Sequence, residues 1–224
     1  MAERWRFGRR SVEEGWIRKS RGGMVVFFFL FLFLSPAVGR AEESAKKFDL
    51  SAAFRYSIPI GKEESGLKWS DLYDHGLGGM LEISYRATPR FAIHLGAADD
   101  TYKAKRVSGS IINGKFNDQR TVSYYLGVKG YLLSAALPQE SGGINPYLRA
   151  DVGVTQFNGA SLNGVHNADR SLEFAYAVGG GVDILTYTRF IVFFEARYEN
   201  HGKPDRAAGA LQSVPVSLGL RFLF

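Results

Sequence analysis

The feature that most constrains this chain is a repeated alternation of apolar and polar residues. It recurs in eight segments, and the last one runs from Val214 to the terminal Phe224. A period of two belongs to a β-strand, whereas a helix repeats about every 3.6 residues. The content of glycine (26 residues) and of aromatic residues (14%) also favours short strands and tight turns. The alternation therefore predicts an all-β fold.

Each segment places apolar side chains on one face and polar side chains on the other. In the first, Phe48, Phe54 and Ile58 share one face, and Asp49 and Arg55 share the opposite one. The other segments begin near Leu77, Phe91, Val122, Pro146, Glu173, Phe190 and Ser213. Long polar connections alternate with shorter ones such as Thr88-Pro89-Arg90. Long loops at one end and short turns at the other are typical of an outer-membrane barrel. We therefore predict an eight-stranded antiparallel up-and-down transmembrane β-barrel.

The polar face decides which side of the barrel meets water. A soluble barrel would turn its apolar face inward, but the lumen of an eight-stranded barrel has little room for so many aromatic rings. We therefore expect the apolar face to contact lipid and the charged residues to line the lumen. The predicted lumen charge network comprises Arg55, Glu82, Arg86, Lys129, Arg149, Asp151, Glu173, Asp183, Glu195, Arg197 and Arg221, and His94, Asp100 and Glu199 share its face.

The first 41 residues have the layout of a secretory leader. Arg18, Lys19 and Arg21 precede an apolar run from residue 24 to residue 34, and small residues follow it. The run is about half of the ~20 residues that a membrane helix needs. We predict a signal peptide over residues 1–41, cleaved after Gly39 or Ala41, and a mature barrel over 42–224; the true start codon is left open.

The positive charge of the chain lies mostly in this leader. The formal net charge is +6, and residues 1–21 hold seven basic and three acidic residues, so they carry +4 of it. The remainder is nearly neutral. A nucleic-acid partner would require a basic surface, so we expect none.

The mature chain resembles the small eight-stranded outer-membrane barrels of the OmpA-like and opacity-type surface proteins. The resemblance spans residues 48–224, and its most specific part is the terminal alternation of Val216, Leu218, Leu220, Phe222 and Phe224. In that family such a strand is the C-terminal signal read by the outer-membrane barrel assembly machinery. The resemblance implies a monomeric protein in the bacterial outer membrane, in contact with its lipid. It leaves the activity open, from anchoring and adhesion to passage of small solutes.

Residues that could carry chemistry are few. The chain has no cysteine, and its four histidines (His75, His94, His166, His201) show no metal-binding spacing. Three of them, all except His94, are predicted to lie in loops. Two alternatives to an inert chain remain, a surface cation site at Asp71, Asp74 and His75 and a lipid-modifying hydrolase using Ser213, His201 and Glu199. Neither forms a distinctive motif, so we expect no catalytic residues, no metal and no cofactor.

The charges of the lumen suggest two functions. Aligned along a water-filled path they would make a narrow porin-like channel; paired with one another they would plug the barrel. Because unpaired buried charges cost several kcal/mol, near-balanced signs favour the plug. We therefore expect a non-enzymatic outer-membrane protein with a structural role or with surface loops that bind an extracellular ligand or mediate adhesion. The channel and the lipid-modifying hydrolase are the alternatives.

Overall fold

A computed structural model describes residues 47–61, 68–108, 113–133, 143–158, 160–162, 165–168, 170–187, 189–204 and 209–224. The predicted signal peptide and its two cleavage positions lie outside these residues and stay predictions.

The described residues form twelve strands and one short helix. In chain order they are β1 (Phe48–Ile60), α1 (Trp69–Leu72), β2 (Tyr73–Thr88), β3 (Phe91–Ala104), β4 (Arg106–Ser108), β5 (Asn113–Lys115), β6 (Gln119–Tyr131), β7 (Ile144–Phe157), β8 (Ala160–Leu162), β9 (Val165–Ala168), β10 (Ser171–Tyr187), β11 (Phe190–Asn200) and β12 (Gln212–Leu223). The eight long strands form a closed antiparallel barrel in the order β1-β12-β11-β10-β7-β6-β3-β2. The predicted fold class is confirmed.

The terminal strand closes the barrel. β12 pairs with β1 from Asp49 opposite Leu223 to Ile60 opposite Gln212. The Phe48 amide donates to the Phe224 carbonyl at 3.2 Å, and the Phe224 amide donates back at 2.9 Å. A closed ladder leaves no strand edge unpaired, which a lipid-embedded sheet requires.

The two faces of the wall carry opposite chemistry, as the alternation predicted. Phe54 and Leu81 point outward and are 58% and 62% exposed. Arg55 and Arg221 point into the lumen and are 1% and 0% exposed. Within one strand, buried charged side chains thus alternate with apolar side chains that are exposed on the outer wall. That outer surface suits the hydrocarbon core of a bilayer.

Aromatic rings form a belt across the closing strands at the end with the short turns, which we call the turn end. Phe48 lies 5.1 Å from Tyr85 and 6.1 Å from Phe224, measured between ring centroids. Phe222 lies 5.2 Å from Phe190 and 6.3 Å from Phe224. Aromatic girdles of this kind are characteristic of the membrane–water interface.

The opposite end, the loop end, contains more regular structure than the sequence suggested. The first long connection contains α1, and the second and third contain the hairpins β4–β5 and β8–β9. β2 begins at Tyr73 rather than near Leu77, because Tyr73 still pairs with Ala104 of β3. His75, predicted in a loop, therefore lies in a strand. In the part of the chain that the structure describes, no helix has the length and apolarity needed to cross a membrane.

Large rings fill the lumen because glycines stand opposite them. The pairs are Tyr102 with Gly76, Tyr125 with Gly96, Tyr147 with Gly181 and Phe193 with Gly219. A Cβ atom placed on Gly96 would lie only 2.5 Å from Cζ of Tyr125. Since real atoms never approach so closely, a larger residue at these positions would displace the ring. Lumen-facing glycine is therefore a packing requirement here, in line with its use where neighbours approach closely.

Candidate functional site

The candidate site is the filled lumen, and its centre is the guanidinium of Arg149. Nη1 contacts Glu195 Oε2 at 2.9 Å, and Nη2 contacts Asp151 Oδ1 at 2.9 Å. Nη2 also lies 3.1 Å from Glu82 Oε2. These side chains come from strands β2, β7 and β11, and all are buried. One cation thus contacts three carboxylates in a low-dielectric interior, where buried charges require partners of opposite sign.

A second guanidinium extends the network toward the loop end. Arg197 contacts Glu199 at 2.9 Å, and Asp151 and Glu195 at 3.2 Å each. Both arginines lie over the ring of Tyr125, with Arg149 Cζ 5.5 Å and Arg197 Cζ 5.3 Å from its centroid. The face of an aromatic ring attracts cations, so Tyr125 offsets the repulsion between two like charges.

The outer members of the network complete a ladder through the barrel. At the loop-end side, Arg55 contacts Glu199 at 2.8 Å and Asp100 at 2.9 Å. At the turn-end side, Lys129 pairs with Glu82. Ion pairs therefore run without a break from Lys129 through Arg149 and Arg197 to Asp100.

A separate group of charges lies at the turn end of the lumen. Arg221 pairs with Asp183 and lies 3.3 Å from Asp49. Asp49 was not among the predicted network residues, although the alternation placed it on the polar face. Arg86 is buried beside the Tyr131 ring, 4.9 Å from its centroid, and its three guanidinium nitrogens have no hydrogen-bond partner.

The structure places the predicted network residues on the lumen face, in two separate groups and with one difference in burial. Ten of the eleven are buried in the lumen; they are Arg55, Glu82, Arg86, Lys129, Arg149, Asp151, Asp183, Glu195, Arg197 and Arg221. Glu173 lies on the same face of β10 but nearer the loop end, where it is only half-buried. It is not one of the carboxylates around Arg149 or Arg197. His94, which shares the face, reaches the centre of the network, with Nε2 2.5 Å from Asp151 Oδ1.

An apolar cluster closes the loop end above the charges, and we call it the loop-end plug. It consists of Trp69, Leu72, Tyr73, Tyr102, Phe157 and Leu211. The Trp69 indole donates a hydrogen bond to the Ala210 carbonyl at 2.9 Å, which joins the first long connection to the last. The sequence did not predict this plug; the one available signal was an aromatic residue, Trp69, in an otherwise polar connection.

The candidate hydrolase residues do meet, but not as a catalytic triad. Nε2 of His201 lies 2.9 Å from Ser213 Oγ and 3.4 Å from Glu199 Oε2, while Nδ1 faces Thr155 Oγ1 at 3.3 Å. A triad requires the serine and the acid on opposite ring nitrogens. Glu199 is also engaged by Arg55. The group is buried inside the barrel, where lipid on the outer wall does not reach it.

His201 lies one residue beyond the end of β11 and was predicted in an open loop. It is instead buried beneath the plug at 1% exposure. Loss of water there disfavours the charged imidazole and lowers the pKa of His201 to about 4, although the Glu199 carboxylate acts in the opposite direction. His201 is therefore neutral at physiological pH, and its two ring nitrogens hydrogen-bond with Ser213 and Thr155.

The three residues of the candidate cation site at the loop end make contacts with their own neighbours instead. Asp71 accepts the Lys68 amide at 3.0 Å and so caps α1. Asp74 accepts the His75 amide at 2.9 Å, and the imidazole of His75 stacks on Tyr56 with ring centroids 5.0 Å apart. The three side chains do not converge. Across the described ranges, no group of three or more acidic or histidine side chains is arranged to hold a metal ion.

Comparison with known proteins identifies the fold. No family model and no curated protein sequence matches the chain. Among solved structures, Neisserial surface protein A is similar at 16% identity and a TM-score of 0.56, covering 79% of this chain and 97% of that one. OprG of Pseudomonas aeruginosa gives 15% identity and 0.54, covering 80% and 96%. Ail, the attachment invasion locus protein of Yersinia pestis, gives 15% and 0.50, covering 80% and 100%.

These likenesses show the fold alone, because the identities are low. The chain has the fold of the small eight-stranded outer-membrane β-barrels, which confirms the resemblance drawn from its sequence. The apolar outer wall and this fold together support the expected location in a bacterial outer membrane.

Proposed function

We propose that this protein is a sealed, non-enzymatic outer-membrane barrel that acts at the cell surface through its long connections. The observation that carries the proposal is the filled lumen. Paired charges occupy its middle, aromatic rings lie against lumen glycines, and the loop-end plug covers the top. A solute path would require breaking several buried ion pairs at once.

The long connections are the part of the molecule left to bind a partner. Loops held by a rigid scaffold commonly carry recognition, since they tolerate sequence change that the wall does not. Two of the similar structures are named for a surface protein and for attachment. An extracellular ligand or host-surface adhesion is therefore the activity we propose, with the barrel serving as a monomeric anchor.

Export and insertion complete the proposal. Residues 1–41 would direct secretion, and Val216, Leu218, Leu220, Phe222 and Phe224 would present the C-terminal signal to the barrel assembly machinery. The support is that four of these residues lie on β12, which closes the barrel against β1, and that Phe224, one residue beyond β12, still hydrogen-bonds with Phe48 of β1. Deleting Phe224 should leave unfolded precursor in the periplasm, whereas the turn variant Arg90→Gln should reach the membrane normally.

Conductance across a planar bilayer tests the sealed lumen. The folded wild-type protein should give no discrete openings. Trp69→Ala combined with Tyr102→Ala should give a noisy leak, because the loss of two rings of the plug admits water to the ion pairs beneath and so weakens them. Steady discrete openings of the wild type would instead support the alternative of a narrow solute channel.

Two further measurements test the remaining parts. Mass analysis of lipid A from cells with and without the protein should show an identical profile; a change that His201→Gln abolishes would establish a lipid-modifying enzyme. Cells that display the barrel should bind host-cell surfaces more than cells displaying a barrel with its four long connections replaced by short glycine-rich ones. Equal binding would refute a role for the connections.

A further inference from the structure

Arg86, at the turn end of the lumen, is a buried cation without a carboxylate partner among the described residues. The other buried cations of the lumen each have such a partner; they are Arg55, Lys129, Arg149, Arg197 and Arg221. Arg86 is 7% exposed, and none of its three guanidinium nitrogens has a hydrogen-bond partner in the described ranges. Because burying a charge without a partner is costly, an anion beside this guanidinium would be stabilising.

The side chain of Arg86 points away from the acid on its neighbouring strand. Arg86 is paired with Ala92 of β3, and its Cζ lies 4.9 Å from the centroid of the Tyr131 ring on β6. The side chain therefore crosses β3, on the side of β2 opposite to β1 and Asp49. The small Ala92 leaves room for this crossing. The ring face attracts the cation and holds it in place, but leaves its N–H groups without acceptors.

The two acids at this end of the lumen are engaged elsewhere. Arg221 pairs with Asp183 and lies 3.3 Å from Asp49, and Ser51 donates to Asp49 at 3.4 Å. Asp183 belongs to β10, which lies across the barrel from β2 in the strand order. Neither acid is therefore the partner of Arg86.

An anion can reach Arg86 from the turn end. Arg86 is the last buried residue of β2, which ends two residues later at Thr88. Its amide donates to the Lys47 carbonyl at 2.7 Å, so Lys47 lies beside it, and Arg90 follows in the turn. Lys47, Arg90 and Arg189 are exposed, and within the described ranges this end has no exposed acidic side chain. A rim of one sign attracts ions of the other.

A carboxylate suits this position better than a phosphate. One edge of a guanidinium donates two parallel N–H bonds to the two oxygens of a carboxylate. A phosphate would bring up to two negative charges into a space shared with Asp49 and Asp183, whereas a carboxylate brings one. Since repulsion between like charges is strong where water is scarce, the monovalent anion is favoured.

We infer that the turn end of the lumen binds a monovalent carboxylate on the guanidinium of Arg86, with Lys47 and Arg90 at the entrance. The inference goes beyond the proposed function and does not depend on what the long connections bind. With those connections facing outward, the site opens toward the periplasm. The carboxylate there belongs either to a free small acid or to the end of a peptide.

Solution NMR of the folded protein in detergent micelles, with ¹⁵N-labelled arginine, observes the Nε–Hε group of Arg86. Its signal is identified by its loss in Arg86→Lys. Acetate, phosphate and acetamide are titrated at constant ionic strength, with chloride as the balancing anion. We expect acetate to shift this signal with a Kd of about 1–10 mM, as suits a very small ligand held by one guanidinium edge. Phosphate should bind at least about tenfold more weakly, and acetamide and chloride should cause no shift.

Substitutions separate the contact from the surrounding charge. Arg86→Lys keeps the charge but loses the paired N–H groups, so it should bind acetate about tenfold more weakly, and Arg86→Gln should not bind it. The backbone amides of Ala92 and Tyr131 report binding in these variants. Arg90→Gln removes a charge at the entrance and should weaken binding about two- to threefold. Arg106→Gln makes the same change of charge at the exposed loop end and should match the wild type.

Undiminished binding by Arg86→Gln would overturn the inference, and so would an equal response to acetate, phosphate and chloride. Trialanine and its C-terminal amide separate the two sources. Tighter binding of trialanine than of acetate assigns the site to a peptide terminus, binding of acetate alone assigns it to a small acid, and equal binding of the amide would contradict both. Heat-modifiable gel migration confirms that each variant is folded. Failure here leaves the conductance and adhesion experiments untouched, so this site and the proposed function can be rejected separately.

Discussion

The middle of the lumen and the loop-end plug close the same barrel by different chemistry. In the middle, Arg149 and Arg197 hold carboxylates from several strands at 2.9–3.2 Å. In the plug, Trp69 and Leu72 of α1 pack on Tyr102 and Phe157. A buried ion network is intolerant of losing a member, because the remaining charges stay behind without partners. An apolar cluster loses only its own contact area. The middle should therefore control whether the barrel folds, and the plug whether it leaks.

The largest effect is expected where the network is densest. Arg149→Met should lower the free energy of unfolding by about 3–5 kcal/mol, since it leaves Glu82, Asp151 and Glu195 facing one another without their common cation. Urea-induced unfolding in lipid vesicles, followed by tryptophan fluorescence, measures it. Arg90→Met, in an exposed turn, is the control. An effect no larger than that of the control would show that the central ion pairs are dispensable.

Removing the plug tests the other half of the comparison. Trp69→Ala should cost about 3 kcal/mol through the cavity it creates. Trp69→Phe keeps a ring and loses mainly the bond to the Ala210 carbonyl, so its cost should be about 1 kcal/mol. The same unfolding assay applies, with far-UV circular dichroism as its signal because the tryptophan is altered. If Trp69→Ala opened no leak in the bilayer assay, the network alone would seal the lumen.

The difference between these regions also explains what the sequence could predict. Strict alternation in β1 to β12 placed Arg55, Arg149 and Arg221 on the inner face, since strand period alone decides which side a residue takes. Which carboxylate each arginine meets depends on the order and stagger of strands around the barrel, and a single sequence does not contain that information.

The plug and the aromatic–glycine pairs were not predictable for a different reason. Trp69 reaches the lumen from a four-residue helix that has no amphipathic period. Gly96 and Tyr125 meet across neighbouring strands, and only the β3–β6 register brings them together. His201 looked exposed because it follows the strand, whereas the plug above it removes it from water. Contacts made by connections depend on tertiary packing more than on local pattern.

Acidification should weaken the region where the plug meets the network. The pKa of His201 is lowered to about 4 by burial, so the folded protein resists protonating a ring that titrates near pH 6.5 when unfolded. Since the folded pKa is depressed, the stabilisation is complete above about pH 6.5 and is lost as the pH falls toward 4, by on the order of 2–3 kcal/mol.

Comparing wild type with His201→Gln between pH 7 and pH 4 isolates this contribution from the titration of other groups. The stability difference between the two should shrink as the pH falls. A difference independent of pH would mean that His201 is not buried as described.

Two glycines, one facing the lumen and one facing outward, allow the packing of the inner and outer faces to be compared. Gly96→Ala should cost about 1–2 kcal/mol, since its Cβ would overlap the Tyr125 ring and push it against the two arginines. Gly130→Ala faces outward into open space and should change stability by less than about 0.5 kcal/mol. Equal effects of the two substitutions would indicate that the conformational freedom of glycine, rather than ring packing, sets the cost.

The smallest effect belongs to a surface pair that provides the reference for the buried ones. Lys103 Nζ donates to Asp118 Oδ2 at 2.7 Å, and this contact lowers the pKa of the Asp118 carboxyl. Because water and salt screen the pair, Lys103→Gln should cost less than about 1 kcal/mol. The cost should vanish in 1 M salt, where the screening length is about 3 Å, whereas the cost of Arg149→Met should persist. If salt lowered both costs equally, water and ions would have to reach the central network. A hydrated lumen of that kind would support the alternative of a narrow channel.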